Sequence, residues 1–266
     1  MGEKAKSIGE EAEVKIWSFL GSLGYKIHIT NEPKYNIDCI AEPPPKNPMY
    51  GMAKPLYAPD GLTAFEVKVP AVSQKKVREF RNKILKYNRD NTGDKRLKGG
   101  VFLVDHKISP KMLDSMRKQQ VWGWGVERQR LYHEKANIFK NFKQKAFITE
   151  IPLDERCSYL RCSTPPPTRS KTLLRIVVFF DDEFHILSQI RVRKVMNKIK
   201  EDSITPLMNY GIKPLNLFFE FYSIGGLSKY LREEIYKTVI EPWKAEQISV
   251  FVDKSPFKDF RAFPIL

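Results

Sequence analysis

Cysteine is scarce in this chain, with three residues among 266. So sparse and odd a set excludes a disulfide framework and predicts a reducing, cytoplasmic setting. No apolar run approaches the ~18 residues needed to cross a bilayer, so no membrane association is expected. The opening Met1-Gly2-Glu3-Lys4-Ala5-Lys6 leads into a charged helix where a signal peptide would carry an apolar core, which predicts no export. A complete glycine fingerprint for a dinucleotide is lacking; Ile224-Gly225-Gly226-Leu227-Ser228 is only a fragment of one. No repeat of 20–50 residues is visible. Acid is short relative to base, with 31 Asp and Glu against 46 Lys and Arg and a net charge of +15. What is present is ample apolar material: hydrophobic residues make up 42%, which excludes a wholly disordered chain. The length corresponds to about 1.8 domains of typical size, hence one large or two small ones.

The charge is uneven. Residues 1–152 hold 28 basic and 17 acidic side chains (+11), and residues 153–266 hold 18 and 14 (+4). A basic surface gains by releasing counterions from phosphates, so the first part of the chain points to a polyanionic partner. Its hydrophobic spacing predicts a helix over 7–23, with Ser7 and Glu10 in the form of a capping box and Gly24 as its C-terminal glycine. Strands are expected at 25–29, 35–41 and 62–69. The second and third are separated by a stretch in which five prolines fall between 43 and 55, which forbids regular structure there. A basic helix over 72–87, a strand at 100–104, a helix from Ser109-Pro110 to about Lys118, a strand at 121–126 and a helix over 127–142 follow. This is an α/β order, a mixed sheet flanked by helices.

Ser163-Thr164-Pro165-Pro166-Pro167-Thr168 reads as a stiff linker. The expected organisation is therefore a first domain over 1–162, a linker over 163–170, and a second, smaller α/β domain over 171–266. The latter is read as strands at 173–180, 215–222, 248–252 and 260–265, with helices at 186–200 and 227–240.

The chemistry is concentrated in the first domain. Asp38 stands in the strand Tyr35-Asn36-Ile37-Asp38-Cys39-Ile40, and Glu66 and Lys68 stand in Leu62-Thr63-Ala64-Phe65-Glu66-Val67-Lys68-Val69. Residues two apart in a strand share a face, so Glu66 and Lys68 point together, away from Phe65 and Val67. Helix residues Glu10 and Glu13 precede these strands and a very basic helix follows. These pieces resemble the PD-(D/E)xK nuclease superfamily over about residues 5–126. They are Gly9-Glu10-Glu11-Ala12-Glu13 ending at Gly24-Tyr25, then Asn36-Ile37-Asp38, then Glu66-Val67-Lys68. The opening, with Glu13 eleven positions before Gly24, is similar to archaeal Holliday-junction resolvases. The chain departs from the pattern in carrying Ile37 where proline is common. Glu66 also follows Asp38 by 28 positions, a lengthening that the proline-rich insert supplies.

The resemblance implies a restriction-endonuclease-like sheet and hydrolysis of phosphodiester bonds in nucleic acid, DNA foremost. Elementary chemistry agrees with it. Carboxylate oxygens suit Mg²⁺ or Mn²⁺. Asp38 and Glu66, with the Val67 carbonyl, are the expected ligands. Lys68 is expected to orient or deprotonate the attacking water, and Glu13 to reach the site from the first helix. Gln74, Lys75, Lys76, Arg78 and Arg81, with Lys83 and Lys86, are expected on the phosphate backbone. Relatives often act as two-fold dimers, which makes a homodimer the expected assembly. The competing reading is a non-catalytic nucleic-acid-binding module on a nuclease-like scaffold. Other signals carry less. Cys157 and Cys162 lack the company zinc requires and read as buried thiols. Trp122 and Trp124 read as sheet packing before base stacking. Asp181-Asp182-Glu183 reads as an acidic turn.

Overall fold

A computed structural model describes residues 14, 16–48, 51–68, 72–143, 147–163, 172–181, 188–209, 215–224, 233–237, 241 and 249–252, without the side chains of Lys68 and a few other strand residues. The described chain divides into two compact units. Unit 1 takes the described residues up to 45 and 57–136; unit 2 takes those of 46–56 and from 137 onward. Ser7, Glu10, Glu13 and the strand expected at 260–265 lie outside the described residues.

Unit 1 opens with a helix at 16–22, here α1, which buries Ile16, Phe19, Leu20 and Leu23. It ends on Gly24, whose φ of 83° only glycine adopts at no steric cost. The Tyr25 N–H donates to Leu20 O at 3.0 Å and the Gly24 N–H to Gly21 O at 3.0 Å, which satisfies the last carbonyls. Strands β1 (Lys26–Glu32), β2 (Ile37–Glu42) and β3 (Thr63–Lys68) run antiparallel, and β4 (Gly99–Val104) and β5 (Val121–Trp124) continue parallel to β3. The sheet order is β1-β2-β3-β4-β5. Helix α2 (Gln74–Asp90) links β3 to β4, and α3 (Pro110–Lys118) links β4 to β5. Both begin on serine caps, Ser73 and Ser109, whose hydroxyls accept from Lys76 N and Met112 N.

The two sheet faces bury different chemistry. On one, Ile40, Ala64, Phe102 and Val121 pack with Val77, Phe80 and Ile84 of α2 and Leu113 and Met116 of α3. The fit is close: a Cβ on Gly100 would come 2.5 Å from Phe80 Cε1, so only glycine lets α2 approach β4 here. On the other face Tyr25, Phe65 and Trp124 meet edge to face, joined by Phe19 and by Tyr132 of α4 (Val126–Lys143). Trp124 is fully buried and donates to Tyr57 O at 2.7 Å, so it is packing and not a base-stacking platform. The Tyr25 hydroxyl is buried in this cluster and makes no hydrogen bond among the described residues, and burial pushes its ionisation far up. An unsatisfied hydroxyl of this kind costs about 1–3 kcal/mol. Tyr25→Phe is therefore expected to raise unit 1 stability by about 1 kcal/mol in denaturant unfolding; a loss of stability would show that the hydroxyl is paired.

Unit 2 holds the sheet β10-β9-β8-β7-β6. Its strands are β6 (Phe147–Asp154), β7 (Cys157–Ser163), β8 (Thr172–Phe180), β9 (Leu215–Ser223) and β10 (Ser249–Val252). The first three are antiparallel and the last three parallel. Here the expected organisation is corrected. Ser163 pairs with Leu174 across the proline run, so that run joins two neighbouring strands of one sheet and does not separate domains. The division falls instead near residue 136, within α4. Strands β6 and β7 were not anticipated. Helix α5 (Gln189–Ile199), capped by Ser188, packs Val192, Val195, Met196 and Ile199 on Tyr159, Ile176, Val178 and Phe219. It runs on into a π-turn (Lys200–Ile204) and a short helix, α6 (Thr205–Asn209). Within the proline-rich insert, Gly51 bridges Thr149 in parallel and the Ala53 N–H donates to the buried Glu150 at 2.9 Å, so 51–53 lines the outer edge of β6.

Asp154 closes the β6–β7 turn by accepting from Arg156 N at 2.8 Å and from both ends of the Arg191 guanidinium at 2.5 and 2.8 Å. Burial opposes ionisation, but Arg191 and the backbone donors outweigh it and hold the carboxyl below its usual range. A depressed carboxyl stabilises above its unfolded pKa, ~3.9, and loses that contribution as pH falls through the folded value. Arg191→Ala is expected to remove that contribution and shift the acid unfolding of unit 2 to higher pH. An unmoved transition would show that Arg191 does not set it.

Candidate active site

The β1–β2 turn places Asp38. Asn36 sits at φ 53°, a left-handed position that asparagine tolerates, and β2 starts at the next residue. The β2–β3 ladder pairs Ala41 with Thr63, Ile40 with Ala64 and Cys39 with Phe65. One further step sets Asp38 opposite Glu66. Residues opposite one another across an antiparallel pair share a face, with Cβ atoms about 4.5–5.5 Å apart. That face is the one covered by α2, since Ile40, Ala64 and Phe102 line it. Asp38 is half-buried, and its Oδ2 accepts the Val67 N–H at 2.7 Å. The carboxylate thus takes the place of a backbone acceptor at the strand end.

Glu66 is 3% exposed. Both its oxygens accept from Lys83 Nζ at 2.9 Å, and the same ammonium donates to Asn36 O at 2.6 Å. Three acceptors match the three N–H donors of a lysine. Lys83 therefore belongs to the carboxylate site and not to the phosphate-facing row in which its charge had placed it. The clue was positional: Lys83 lies three residues after Phe80 and four before Tyr87, both buried.

No family model and no curated protein matches this chain.

The other expected residues fall as follows. Lys68 closes β3, where it pairs with Val104; its side chain, like the whole of Glu13, lies outside the described residues. Val67 engages Asp38 through its N–H. Gln74 is turned to α3, where its Oε1 accepts from Ser115 Oγ at 2.8 Å and its Nε2 meets Met112 Sδ at 3.5 Å. Lys75 and Arg78 are exposed on α2, as is Lys86, while Lys76 and Arg81 are half-buried. Burial lowers the Arg81 ionisation from its usual value. Cys39, beside Asp38, is buried, and its thiol is pushed up to about 12, first by desolvation and then by the Asp38 charge. Cys157 and Cys162 are five positions apart on β7, an odd spacing that sends them to opposite faces, and both are buried.

Among the described residues no group of three or more His, Cys, Asp or Glu side chains gathers around one point. The donors that the register places on one face are two carboxylates, hard oxygen ligands of the kind Mg²⁺ takes in ones and twos while keeping its waters. The pair fits such an ion in chemistry. The Lys83 ammonium now supplies the positive charge that Glu66 requires in its buried position.

Proposed function

We propose that unit 1 is a metal-dependent endonuclease of restriction-endonuclease-like architecture that hydrolyses phosphodiester bonds in DNA with Mg²⁺, or with Mn²⁺ in its place. What supports this reading is the register of β2 on β3, which one step beyond the Cys39–Phe65 pair sets Asp38 across from Glu66 on the face of a mixed five-stranded sheet that a basic helix covers. Asp38 and Glu66 would hold the ion. When bound, it lowers the pKa of a coordinated water and neutralises phosphate oxygens.

The chain's own groups supply the rest. The Val67 N–H fixes the Asp38 carboxylate, so its orientation is set before any ligand arrives. Lys83 engages both oxygens of the buried Glu66 and is the group a metal would displace. Lys68 and Glu13 are proposed to orient the water. Lys75 and Arg78 present their charges at the exposed start of α2, where a phosphate backbone would run. The described residues hold one such carboxylate pair per chain, so cutting both strands of a duplex is proposed to take two chains. A cytoplasmic setting fits three buried cysteines.

One observation favours a second reading, a nucleic-acid-binding module without chemistry: the ammonium of Lys83 already engages both oxygens of Glu66. Purified protein separates the two. Mg²⁺- or Mn²⁺-dependent cutting of double-stranded, single-stranded or branched DNA supports the nuclease. Salt-sensitive binding that survives Asp38→Ala, with no cutting of any substrate, supports the binding module.

A further inference from the structure

The two units share one plan. In each, three antiparallel strands follow a helix, and two further strands continue parallel in sequential order, giving β1-β2-β3-β4-β5 and β6-β7-β8-β9-β10. In each, the crossover elements cover a single face: α2 and α3 in unit 1, α5 and Ile235 in unit 2. In each, a serine caps the first crossover helix, Ser73 or Ser188. Ten positions on, a lysine donates to a carbonyl near the first hairpin, in the β1–β2 turn of unit 1 and near the end of β6 in unit 2. From Ser73 that lysine is Lys83, bonded to Asn36 O at 2.6 Å; from Ser188 it is Lys198, bonded to Leu153 O at 3.2 Å.

The chemistry beneath those lysines differs. On the helix-covered face of β2 and β3, the cross-strand position beyond Ile40 and Ala64 is Asp38 with Glu66. On the helix-covered face of β7 and β8, the two pairs at the same end are Tyr159 with Val178 and Cys157 with Phe180. Whichever is matched, no carboxylate is present. Among the described residues the buried acid at this end is Asp181, one position beyond Phe180, whose N–H donates to Arg156 O at 2.8 Å; Glu150 is engaged with Ala53 N and Ser158 Oγ, and Glu220 with Arg175 and Tyr222.

The basic crossover helix is retained. α5 contains no acidic residue, and Arg193 and Lys194 are exposed side by side on it. We infer that unit 2, whose described β7–β8 pairs carry no counterpart of Asp38 with Glu66, grips the same nucleic acid through α5, leaving each chain with one cutting centre. The grip rests on charge alone and stands apart from the nuclease reading; the single centre rests on that reading.

The test uses the full chain. Replacing Arg193 and Lys194 together with Ala should lower the slope of log K against log salt for duplex DNA by about two, one for each lost phosphate contact. Mn²⁺ counting by paramagnetic resonance should give one bound ion per chain, lost in Asp38→Ala, in both the parent and the α5 variant. Supercoiled plasmid should accumulate as open circles. An unchanged salt slope overturns the grip. Two Mn²⁺ ions per chain, or one that survives Asp38→Ala, overturns the single centre. A chain that shows the slope change but binds no Mn²⁺ and cuts nothing keeps the grip and sinks the nuclease reading instead.

Discussion

Asp38→Ala is expected to lower Mg²⁺-dependent DNA cleavage by about a thousandfold. A ligand that helps hold a Lewis-acidic ion at the reacting phosphate contributes several kcal/mol of transition-state stabilisation, and each 1.36 kcal/mol is tenfold in rate. The alanine also strips the Val67 N–H of its acceptor, at a cost of about 1–3 kcal/mol in stability. Asp38→Asn separates the two effects, because it keeps an acceptor for Val67 while removing the charge. Denaturant unfolding should then be near normal for asparagine and weakened for alanine, while cleavage is lost in both. Cleavage by Asp38→Asn at the parent rate would remove Asp38 from the chemistry.

Lys83→Met should have the largest effect on stability. Removing one partner of a buried ion pair leaves the other charge uncompensated, typically at about 3–5 kcal/mol. Glu66 is 4% exposed at its side chain and Lys83 20%, so water offers little relief. Glu66→Gln combined with Lys83→Met should recover part of the loss, as coupled neighbours do. If the lysine stands in for a divalent ion, Mn²⁺ should stabilise Lys83→Met more than it stabilises the parent. An ion at a hundred times its Kd adds about 2.7 kcal/mol. Equal stability of Lys83→Met and parent would show that the pair contributes nothing, and an equal Mn²⁺ increment in both would show that lysine and metal do not compete.

The sequence is most informative where periodicity and turn chemistry agree. The strand 62–69, the helix over 72–87 and the Ser109-Pro110 start all coincide with observed elements to within a few residues. Gly24 closes α1 as its position indicates. The alternation in β3 sends Phe65 to the aromatic face and Glu66 to the helix-covered face. The β6–β7 hairpin was missed although its signals are present: two alternating runs, Phe147–Asp154 and Cys157–Ser163, flank a two-residue turn. The proline run after it looked like a boundary because proline stiffness is local information, whereas the Ser163–Leu174 pairing is not. Lys83 was misplaced for a related reason. Charge composition treats every lysine of a helix alike, and only packing against Phe80 and Tyr87 singles one out. The common plan of the two units leaves little trace in the sequence beyond a capping serine with a lysine ten positions on, since a sheet order is held by hydrophobic pattern and not by residue identity.

The segment 46–56 has a consequence for how the chain is made. Gly51 must await Thr149, which leaves the ribosome 98 positions later (51 to 149). Unit 1 can assemble its sheet in the meantime, as domains do when they emerge first. Unit 2 cannot be finished from its own contiguous stretch. A fragment starting at residue 137 would be born with an open β6 flank and with Glu150 deprived of the Ala53 donor. Bare flanks of this kind recruit other strands. Severing the polypeptide at its apparent domain border should therefore yield an N-terminal piece that stays dispersed and a C-terminal piece that self-associates.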